Sequence, residues 1–523
     1  MKRIGVFFLI TILSGFCKLV AEPYHSLTSQ CDGFPQLPLI TLNNICVGLV
    51  VQKSQNIPLK KPRSLIEIDK GQLLVIDAGS WMPNQGSLLL IDYSGKTPIV
   101  RSLLNTLNLP HKILYGHNNY IYFSEADKIS RFYWKNNAIQ NLEIVIDHLP
   151  FSPTYLHPLK NFTFDLNGDL LVNIGSSSDK CENKQASCGN GEEASIRRYS
   201  FHKDTNQYSQ DYSILAYGLR NSMALAVHSS GTIVQAENSI DLPDAEEPYE
   251  EFNIIQEGKF YGWPKCYNAN IDLDGKTCTA NHYQAPWTLL PPHVAPLDML
   301  YYQGNKIPAL KNKLIMSWHG FRIAGNRLVA YELDSKGRPV LQEKAIFRRA
   351  PVDANSEYTE HLFAPRGGLQ LDSPASQQVA QHQEIISEWH PIENLRPEGS
   401  PVGLTQSKDG SLWILDDRNA AILRLSTGTS YTKTKIHNNS STIIEIPTGI
   451  LSILKNNCSQ CHTEIATNPQ TLFNQENWLA KDNGRYLIES KVFFEKSRPM
   501  PPSGQLSNHE LHELQSWLHT LDI

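Results

Sequence analysis

The residues with the clearest chemical signature lie near the C-terminal end of the 523-residue chain. Cys458, Cys461 and His462 form the pattern C-x-x-C-H. In this pattern the two thiols bond the vinyl groups of a haem and the His becomes an axial ligand of the iron. Met500, which stands between two prolines, offers a thioether as the sixth ligand. Because His and Met ligation suits electron transfer, the sequence predicts a covalent haem c here.

Two other interpretations of the cysteine pair are weaker. A zinc site would need a second pair of ligands, but Cys461 is the last cysteine, and the later His509, His512 and His519 fall in a stretch with helical spacing. A redox dithiol is expected beside a βαβ pattern, and the sequence lacks one. We therefore interpret the upstream chain as a source of electrons for a haem.

A strand-turn-strand pattern recurs six times upstream of this motif. The six units are Ser64–Tyr93, His111–Arg131, Asn161–Gly175, Asn221–Asn238, Lys313–Leu333 and Pro401–Leu425. Their apolar alternation indicates half-buried strands, and the Gly, Asn and Asp turns between the strands suit hairpins. Six units with no long helical pattern between them predict an all-β six-bladed β-propeller. The inserts 176–215, 238–300 and 350–398 are expected to be loops on one face.

The period of the apolar pattern changes after residue 448. Ile450 and Leu454 precede the haem motif at helical spacing, and a last helix is predicted with Ser507 as N-cap and Glu510 three residues on. Two helices around C-x-x-C-H predict a small all-α cytochrome c domain. The predicted parts are a signal peptide (1–21), a propeller (22–426) that opens with an arm and a first strand, a linker (427–447) and the cytochrome c domain (448–523).

The N-terminal residues predict export to the periplasm or secretion. A basic start is followed by the apolar run Val6–Leu13 and a small-residue cleavage site at Leu19–Ala21. The run is too short to span a membrane, and no other stretch is apolar enough to do so. Cys17 offers a lipoprotein alternative, which the bulky Phe16 before it disfavours.

Six cysteines remain outside the signal peptide and the haem motif. They fall as three pairs of near neighbours, namely Cys31 and Cys46, Cys181 and Cys188, and Cys266 and Cys278. Six cysteines allow fifteen connectivities. We favour pairing of neighbours, which closes three short loops in an oxidising compartment.

Several short stretches of the propeller region occur in the order seen in one enzyme family. They are His157 ahead of the hairpin Thr163–Gly175, Ala216–Asn221, Glu250–Asn253, Tyr261–Pro264, His293–Pro296 and His319–Gly320. Together they resemble the soluble pyrroloquinoline-quinone-dependent (PQQ-dependent) glucose and sorbosone dehydrogenases, six-bladed propeller enzymes of the bacterial periplasm. The resemblance covers about residues 63–426, and the tail resembles the cytochrome c domain fused to some members.

The resemblance implies roles for four residues. His157 would be the general base that takes a proton from the substrate hydroxyl, a task that suits imidazole. Arg220 would face the quinone oxygen that gains charge, and Asn221 and His319 would bind the cofactor. Without the resemblance, His157 reads equally well as a loop or capping residue, and Arg220 reads as a salt-bridge former.

The resemblance also implies calcium. Backbone oxygens near Asn238 and Ser239 would bind the ion that contacts the quinone, since calcium prefers oxygen ligands. Glu251 and, ten residues later, Tyr261 match the ligand spacing of a second calcium site. The acidic stretch around Glu251 could otherwise be a solvated loop.

The chain departs from the family pattern in two places. The basic residues that the family brings to the cofactor from its last blade are missing near Glu398–Val402, where Arg396 stands two residues early. Phe321, followed by Arg322, replaces the Ser that usually follows His319-Gly320. These departures leave open a propeller that has lost its quinone.

Three functions are therefore weighed. The leading one is a periplasmic quinohaemoprotein dehydrogenase that oxidises a sugar or related alcohol and passes electrons through haem c to a periplasmic or membrane-bound acceptor. The second is a non-enzymatic propeller that binds a sugar or protein and carries an electron-relay cytochrome. The third, a calcium-dependent lactonase, gives the haem no purpose. The formal net charge of −5 with 19% charged residues leaves no footprint for nucleic acid.

Overall fold

The computed structural model describes most of the chain. The described residues are 24, 26–181, 188–242, 248–268, 271–272, 278, 283–320, 325–342, 346–349, 359–362, 379–389, 399–431, 446–458, 481–482, 485–486, 488, 492 and 506–520. Six sheets of four or five strands, here blades 1 to 6 in chain order, form the six-bladed β-propeller that the sequence predicts. The first strands of most neighbouring blades contact one another, so that they form the inner wall of the ring.

The strands of each blade follow one another outward from the first, mostly antiparallel. Blade 1 has Pro62–Asp69, Gln72–Asp77, Gly86–Asp92 and Ile99–Leu107. Blade 2 has Ile113–Tyr115, Ile121–Ser124, Ile129–Lys135 and Ala138–Ile146. Blade 3 has Phe162–Phe164, Leu170–Ile174, Ser195–His202, Gln207–Tyr217 and the parallel strand Lys259–Phe260. Blade 4 has Ala224–Val227, Ile233–Ala236, Tyr249–Ile254 and Thr288–Pro292.

Blades 5 and 6 take their outermost strands from the N-terminal part of the chain. Blade 5 has Pro296–Tyr301, Leu314–Trp318, Arg327–Tyr331, His382–Glu388 and Ile40–Thr41. Blade 6 has Pro401–Gln406, Leu412–Asp416, Ala421–Thr427 and Ile45–Gln52. The ring is thus closed by pairing of two chain segments that are far apart in sequence.

Short elements complete the described fold. The two-stranded sheets are Gln30–Cys31 with Phe34–Pro35, Cys266–Tyr267 with Ile271–Asp272, Leu341–Gln342 with Val379–Ala380, Ile346–Arg349 with Thr359–Leu362, and Lys481–Asp482 with Arg485–Tyr486. The single-turn helices are His117–Asn119 and Pro308–Leu310.

Local turn chemistry explains why the predicted hairpins form. In blade 3 the Asp165 carboxylate accepts the backbone N–H groups of Asn167, Gly168 and Asp169. Gly168 adopts a φ of 97°, which side chains with a Cβ rarely tolerate. Each of the six predicted units lies within a different blade, so this part of the prediction is confirmed. The expectation that the three inserts are loops is wrong, because they contain the blade strands Ser195–His202, Tyr249–Ile254 and His382–Glu388.

The expectation of half-buried strands is wrong for the second strands. In Gln72–Asp77, Leu73 and Val75 belong to a buried cluster with Trp413 of blade 6, whereas Leu74 and Ile76 pack in a cluster shared with blade 2. Successive side chains of a strand point to opposite faces, and here both faces meet a neighbouring blade. These strands are therefore apolar runs that stabilise the ring from both sides.

Polar side chains join neighbouring blades around the whole ring. At every junction a Ser, Thr or Asn side chain of one blade donates to a backbone carbonyl of the next. The pairs are Ser64 to Ile113, Ser124 to Lys160, Asn161 to Met223, Asn238 to Pro296, Ser317 to Val402 and Thr405 to Leu65. Because buried carbonyls need partners, these bonds fix the blades relative to one another.

The three disulfides join the near neighbours that we favoured. Cys31 bonds Cys46, Cys181 bonds Cys188, and Cys266 bonds Cys278. The prediction of local pairing is confirmed. Cys46 lies in the strand Ile45–Gln52 that closes blade 6, so its disulfide fastens the closing strand.

The C-terminal region contains two described helices, Thr448–Asn457 (α1) and Asn508–Thr520 (α2). Their apolar residues share a buried cluster. Ser507 and Glu510 exchange hydrogen bonds between side chain and backbone N–H, which confirms the predicted capping box. Cys458 follows α1 and is half-buried.

Most of the predicted haem site and the predicted signal peptide are not covered by the structure. Cys461, His462 and Met500 lie outside the described residues, as do residues 1–23. The cytochrome c domain and the export signal therefore stay predictions. In the described part of the chain, no helix has both the length and the apolarity needed to cross a membrane.

Candidate active site

Residues that could do chemistry gather at one end of the ring. His157 and Arg220 precede the first strands of blades 3 and 4, whereas His319 and Asp417 follow the second strands of blades 5 and 6. First and second strands are antiparallel, so the start of one lies beside the end of the other. We call this end of the ring the mouth of the channel.

His157 is held by the segment that follows the second strand of blade 3. Its Nδ1 lies 3.0 Å from the carbonyl oxygen and 2.9 Å from the Oγ of Ser176. The Ser176 hydroxyl donates to the Ser178 carbonyl at 2.6 Å, so its oxygen is an acceptor toward the imidazole. Because both Ser176 oxygens accept, Nδ1 of His157 carries the proton. The lone pair is therefore on Nε2, as a base requires.

The electrostatic surroundings keep this imidazole neutral. Burial and the nearby charge of Arg220 lower the pKa of His157 from 6.5 to about 3. Its partner at Nδ1 is a neutral Ser rather than a carboxylate, so this contact adds no negative charge to offset the effect. His157 is thus unprotonated throughout the neutral range.

A glycine lets the base lie close to Asn221. A Cβ on Gly175 would come within 2.6 Å of the Cβ of His157 and 3.1 Å of the Oδ1 of Asn221. Any larger residue would push the two apart. Asn221 is half-buried, and its carbonyl accepts the backbone N–H of Asn238 at 3.1 Å.

Arg220 is buried at the mouth and oriented by several partners. Its Nη2 lies 2.8 Å from Asp179 and 3.5 Å from Asp241, and its Nη1 donates to the Asn238 carbonyl at 2.9 Å. Its Nε is buried and has no hydrogen-bond partner in the described residues. This orphaned donor fits an acceptor atom of a bound group. The salt-bridge interpretation of Arg220 and the cofactor interpretation are therefore compatible.

The predicted calcium residues lie in and around blade 4, and they belong to a buried acidic group. Ser239 donates its backbone N–H to Glu250, and the backbone N–H of Glu237 donates to the Glu251 carbonyl. Burial raises the pKa of Glu237 to about 8, that of Glu250 to about 7 and that of Glu251 well above 4.5. Glu237 Oε2 is buried without a hydrogen-bond partner in the described residues. Buried carboxylates of this kind fit a hard cation.

The geometry limits how such a cation would be bound. Within the described ranges, no three His, Cys, Asp or Glu side chains are grouped to hold a metal ion, so carbonyl oxygens would have to contribute. The Asn238 carbonyl already accepts Arg220. Tyr261 would contribute its backbone carbonyl, since its hydroxyl donates to the Ile254 carbonyl at 2.7 Å.

His319 follows the second strand of blade 5, two blades away from His157. Its Nε2 is 2.8 Å from Asp417, which also pairs with the buried Arg63. Burial raises the pKa of Asp417, but the charges of His319 and Arg63 outweigh it and hold the pKa well below its usual value. The Arg63 Nε donates to the Nδ1 of His111 at 3.3 Å.

Sequence reasoning missed several residues of the mouth. Ser176, Asp179 and Asp417 contact the predicted residues His157, Arg220 and His319, and Lys61 and Arg63 pair with Asp417. A signal existed for Lys61 and Arg63, which lie at the start of the first strand of blade 1. His157 and Arg220 likewise lie at or before the start of the first strand of their blades. Arg322 and Arg396 lie outside the described residues.

Comparison with known proteins agrees with this architecture. The model of the family described as Glucose / Sorbosone dehydrogenase matches residues 104–352, just under half of the chain. An uncharacterized protein of Borreliella burgdorferi is 27% identical over 315 residues, which are 56% of this chain and 76% of that protein.

Two solved structures share the fold. The calcium structure of a Trichoderma reesei protein of Carbohydrate-Active Enzymes Family AA12 has a TM-score of 0.53 at 17% identity, over 79% of this chain and all of that one. The holo form of the pyranose dehydrogenase PQQ domain from Coprinopsis cinerea has a TM-score of 0.51 at 20% identity, over 76% of this chain and 99% of that one. At these identities the likeness shows the propeller fold.

Proposed function

We propose that this chain is a quinone-dependent dehydrogenase that oxidises a sugar or a related alcohol and passes the electrons to a haem c on the same chain. The observation that carries the proposal is that His157 and Arg220 lie at the same end of the ring, the mouth. One offers an unprotonated Nε2, and the other a buried donor without a partner in the described residues. The match to the glucose / sorbosone dehydrogenase family supports the choice of substrate.

Arg220, Asn221 and His319 would hold the cofactor PQQ. When bound, the quinone supplies an acceptor for the hydride that leaves the carbinol carbon. The fixed charge of Arg220 stabilises negative charge that develops beside it, and Asp179 and the Asn238 carbonyl keep its guanidinium in place. A donor that is already oriented needs no reorganisation during the reaction.

His157 would take the proton of the substrate hydroxyl at Nε2. The Ser176 carbonyl fixes the tautomer by accepting from Nδ1, and the backbone N–H of His157 donates to the same carbonyl at 3.2 Å. These bonds hold the ring at one end and leave the other for the substrate. The low pKa means that the base is ready at neutral pH, although it is a weak one.

Calcium would be held by oxygens around Asn238, Ser239, Glu251 and Tyr261, with Glu237 as a further carboxylate. A divalent cation would allow the buried carboxylates to ionise. The haem would be held by Cys458 and Cys461 with His462 and Met500 as axial ligands. A tether of about twenty residues places the haem at an effective concentration on the order of millimolar.

The remaining expectations follow from this scheme. A chain with three disulfides suits an oxidising compartment, which supports the periplasmic or secreted location. The last electron acceptor would be a periplasmic or membrane-bound redox protein.

The test is reconstitution of the purified protein with PQQ and calcium. Addition of an aldose should then reduce the haem, seen in its absorption bands. His157→Ala should lower the rate by about two to four orders of magnitude and Arg220→Ala by about two to three. His148→Ala, at an exposed residue, serves as the control. Haem reduction should fail when Cys458 and Cys461 are replaced, while an artificial acceptor still reports turnover.

A second function is favoured by one observation. Arg220 already has two carboxylate neighbours, Asp179 and Asp241, so its charge is compensated without any cofactor. A propeller that binds a sugar or a protein and relays electrons through its cytochrome would need no quinone. Equilibrium titration with PQQ in calcium separates the two, because the second function predicts no binding.

A further inference from the structure

The mouth of the channel carries a second charged group, opposite His157 and Arg220. Lys61 and Arg63 of blade 1 lie against Asp417 of blade 6, which also bonds His319 of blade 5. Trp81, in the loop after the second strand of blade 1, covers the two cations. The Lys61 Nζ is 5.0 Å and the Arg63 guanidinium carbon 5.6 Å from its ring centroid. We call Lys61, Arg63, Trp81, His319 and Asp417 the blade 1 cluster.

The members of this cluster differ in how much of them solvent can reach. The side chains of Arg63 and Asp417 are only 1% and 3% exposed, and they pair with each other. The side chain of Lys61 is 22% exposed, that of His319 is 23%, and Trp81 is 57% exposed. The inner pair is therefore structural, whereas Lys61, His319 and the indole can meet a ligand.

Among the described residues of the cluster there are more cations than anions. Lys61 and Arg63 both lie within 4 Å of one carboxylate, that of Asp417. The neighbouring Lys112 is matched by Asp298. Asp417 is closer to Arg63 and His319 than to Lys61, whose Nζ lies 3.9 Å away. Lys61 is thus the more exposed of the two cations, and its ammonium group suits an anion at the mouth.

The position of the cluster relative to Arg220 completes the argument. Blades 3 and 4 carry His157 and Arg220, and blades 5, 6 and 1 carry the cluster, so the two groups face each other across the mouth. PQQ is a planar aromatic tricarboxylate whose reactive carbonyls and carboxylates lie at different edges. If the quinone edge of PQQ lies at Arg220, a carboxylate edge points toward the blade 1 cluster. There the exposed indole of Trp81 offers a surface on which a planar ring can stack.

We propose that Lys61 and His319 bind a carboxylate of the quinone cofactor, with Trp81 as the surface against which its ring lies. This site takes the place of the basic residues that are missing near Glu398–Val402. The inference rests on the proposed function, because it names residues that hold the cofactor of that reaction.

The test measures the dissociation constant of PQQ by equilibrium titration in calcium, which needs no turnover. Lys61→Gln should weaken binding by about one to two orders of magnitude, the loss expected for one charge-assisted hydrogen bond. Trp81→Leu should weaken it as well and should remove part of the fluorescence quenching. Lys96→Gln, an exposed lysine in the third turn of the same blade, is the matched control. The trimethyl ester of PQQ, which lacks the charges, should bind wild type and Lys61→Gln equally.

The outcomes distinguish this inference from the function on which it rests. No binding of PQQ by wild type overturns both. Tight binding that neither Lys61→Gln nor Trp81→Leu weakens overturns only the cluster's role. If Lys61→Gln leaves PQQ binding unchanged but raises KM for glucuronate relative to glucose, the carboxylate belongs to the substrate, and the proposal is wrong. Thermal unfolding of each variant shows whether the fold is kept. Because Trp81 is exposed, Trp81→Leu tests PQQ binding with a substitution that should not disturb the core.

Discussion

Lys112 and Asp298 form a buried ion pair that spans the ring. The Nζ of Lys112, at the start of blade 2, lies 2.7 Å from both carboxylate oxygens of Asp298, in the first strand of blade 5. Blades 2 and 5 stand opposite each other in a ring of six. Asp298 also accepts the backbone N–H of Leu404 at 2.9 Å, so one carboxylate joins three blades.

Removal of this pair should be costly to stability. Asp298→Asn leaves the Lys112 ammonium buried without a counter-charge, and we expect a loss of about 3–5 kcal/mol in the free energy of unfolding. Chemical denaturation measures it. Asp334→Asn breaks the partly exposed pair with Arg338 and should cost at most about 1 kcal/mol. An equal loss in the free energy of unfolding for the two variants would contradict the structural role of the Lys112–Asp298 pair.

The environment of His157 predicts an unusual pH dependence. Because its pKa is about 3, the base stays unprotonated as the pH falls from 7 to 5, and kcat/KM should show no acid limb near 6.5 from this group. The unfolded chain binds a proton with a pKa near 6.5, so the free energy of unfolding contributed by this residue falls as pH drops below 6.5 toward 3.

A substitution at Ser176 tests the physical cause. Ser176→Asp places a carboxylate near Nδ1 and should raise the pKa of His157, which moves an acid limb toward neutral pH. Ser176→Ala keeps the carbonyl acceptor and should leave the profile flat. The pKa is measured directly by NMR titration of the imidazole, assigned by comparison with His157→Asn. An ordinary pKa near 6.5 in wild type would refute the account of the site.

The sequence predicts those features that depend on local chemistry. Hairpin turns such as Asp165–Asp169 are encoded within a few residues, and the order of strands then places His157 and Arg220 at the same end of the ring. Both faces of the second strands are buried because each blade packs between two neighbouring blades. The polar and apolar pattern within a single strand does not reveal these neighbours.

Contacts that close the ring were beyond sequence reasoning. Arg63 and Asp417 are 354 residues apart in the chain and meet only because the N-terminal strand Ile45–Gln52 completes blade 6. The pairing of Arg220 with Asp179 depends likewise on the path of the loop between blade 3 strands. No local pattern specifies which of many charged residues will meet at the mouth.

The disulfides should differ in what they stabilise. Cys31–Cys46, with a sequence separation of 15, fastens the strand that closes the ring, and its replacement by serines should cost about 3 kcal/mol. Cys181–Cys188 has a separation of 7 and should cost less. It lies close to Asp179, so its loss should change PQQ affinity more than the midpoint of thermal unfolding. Calorimetry and titration of both double variants check this, and the reverse pattern would contradict it.

The haem prediction can be tested without any substrate. Met500→Ala should abolish the weak sulfur-to-iron absorption band of the oxidised protein and lower its reduction potential, because the thioether of Met favours the reduced iron. His462→Ala should remove the other axial ligand and disturb the Soret band more strongly. Met82→Ala, at a residue that is 65% exposed, is the matched control and should leave both properties unchanged. An unaltered band in Met500→Ala would mean that another residue, such as a histidine of the tail, provides the sixth ligand, while absence of covalent haem in the exported protein would remove the acceptor from the proposed reaction.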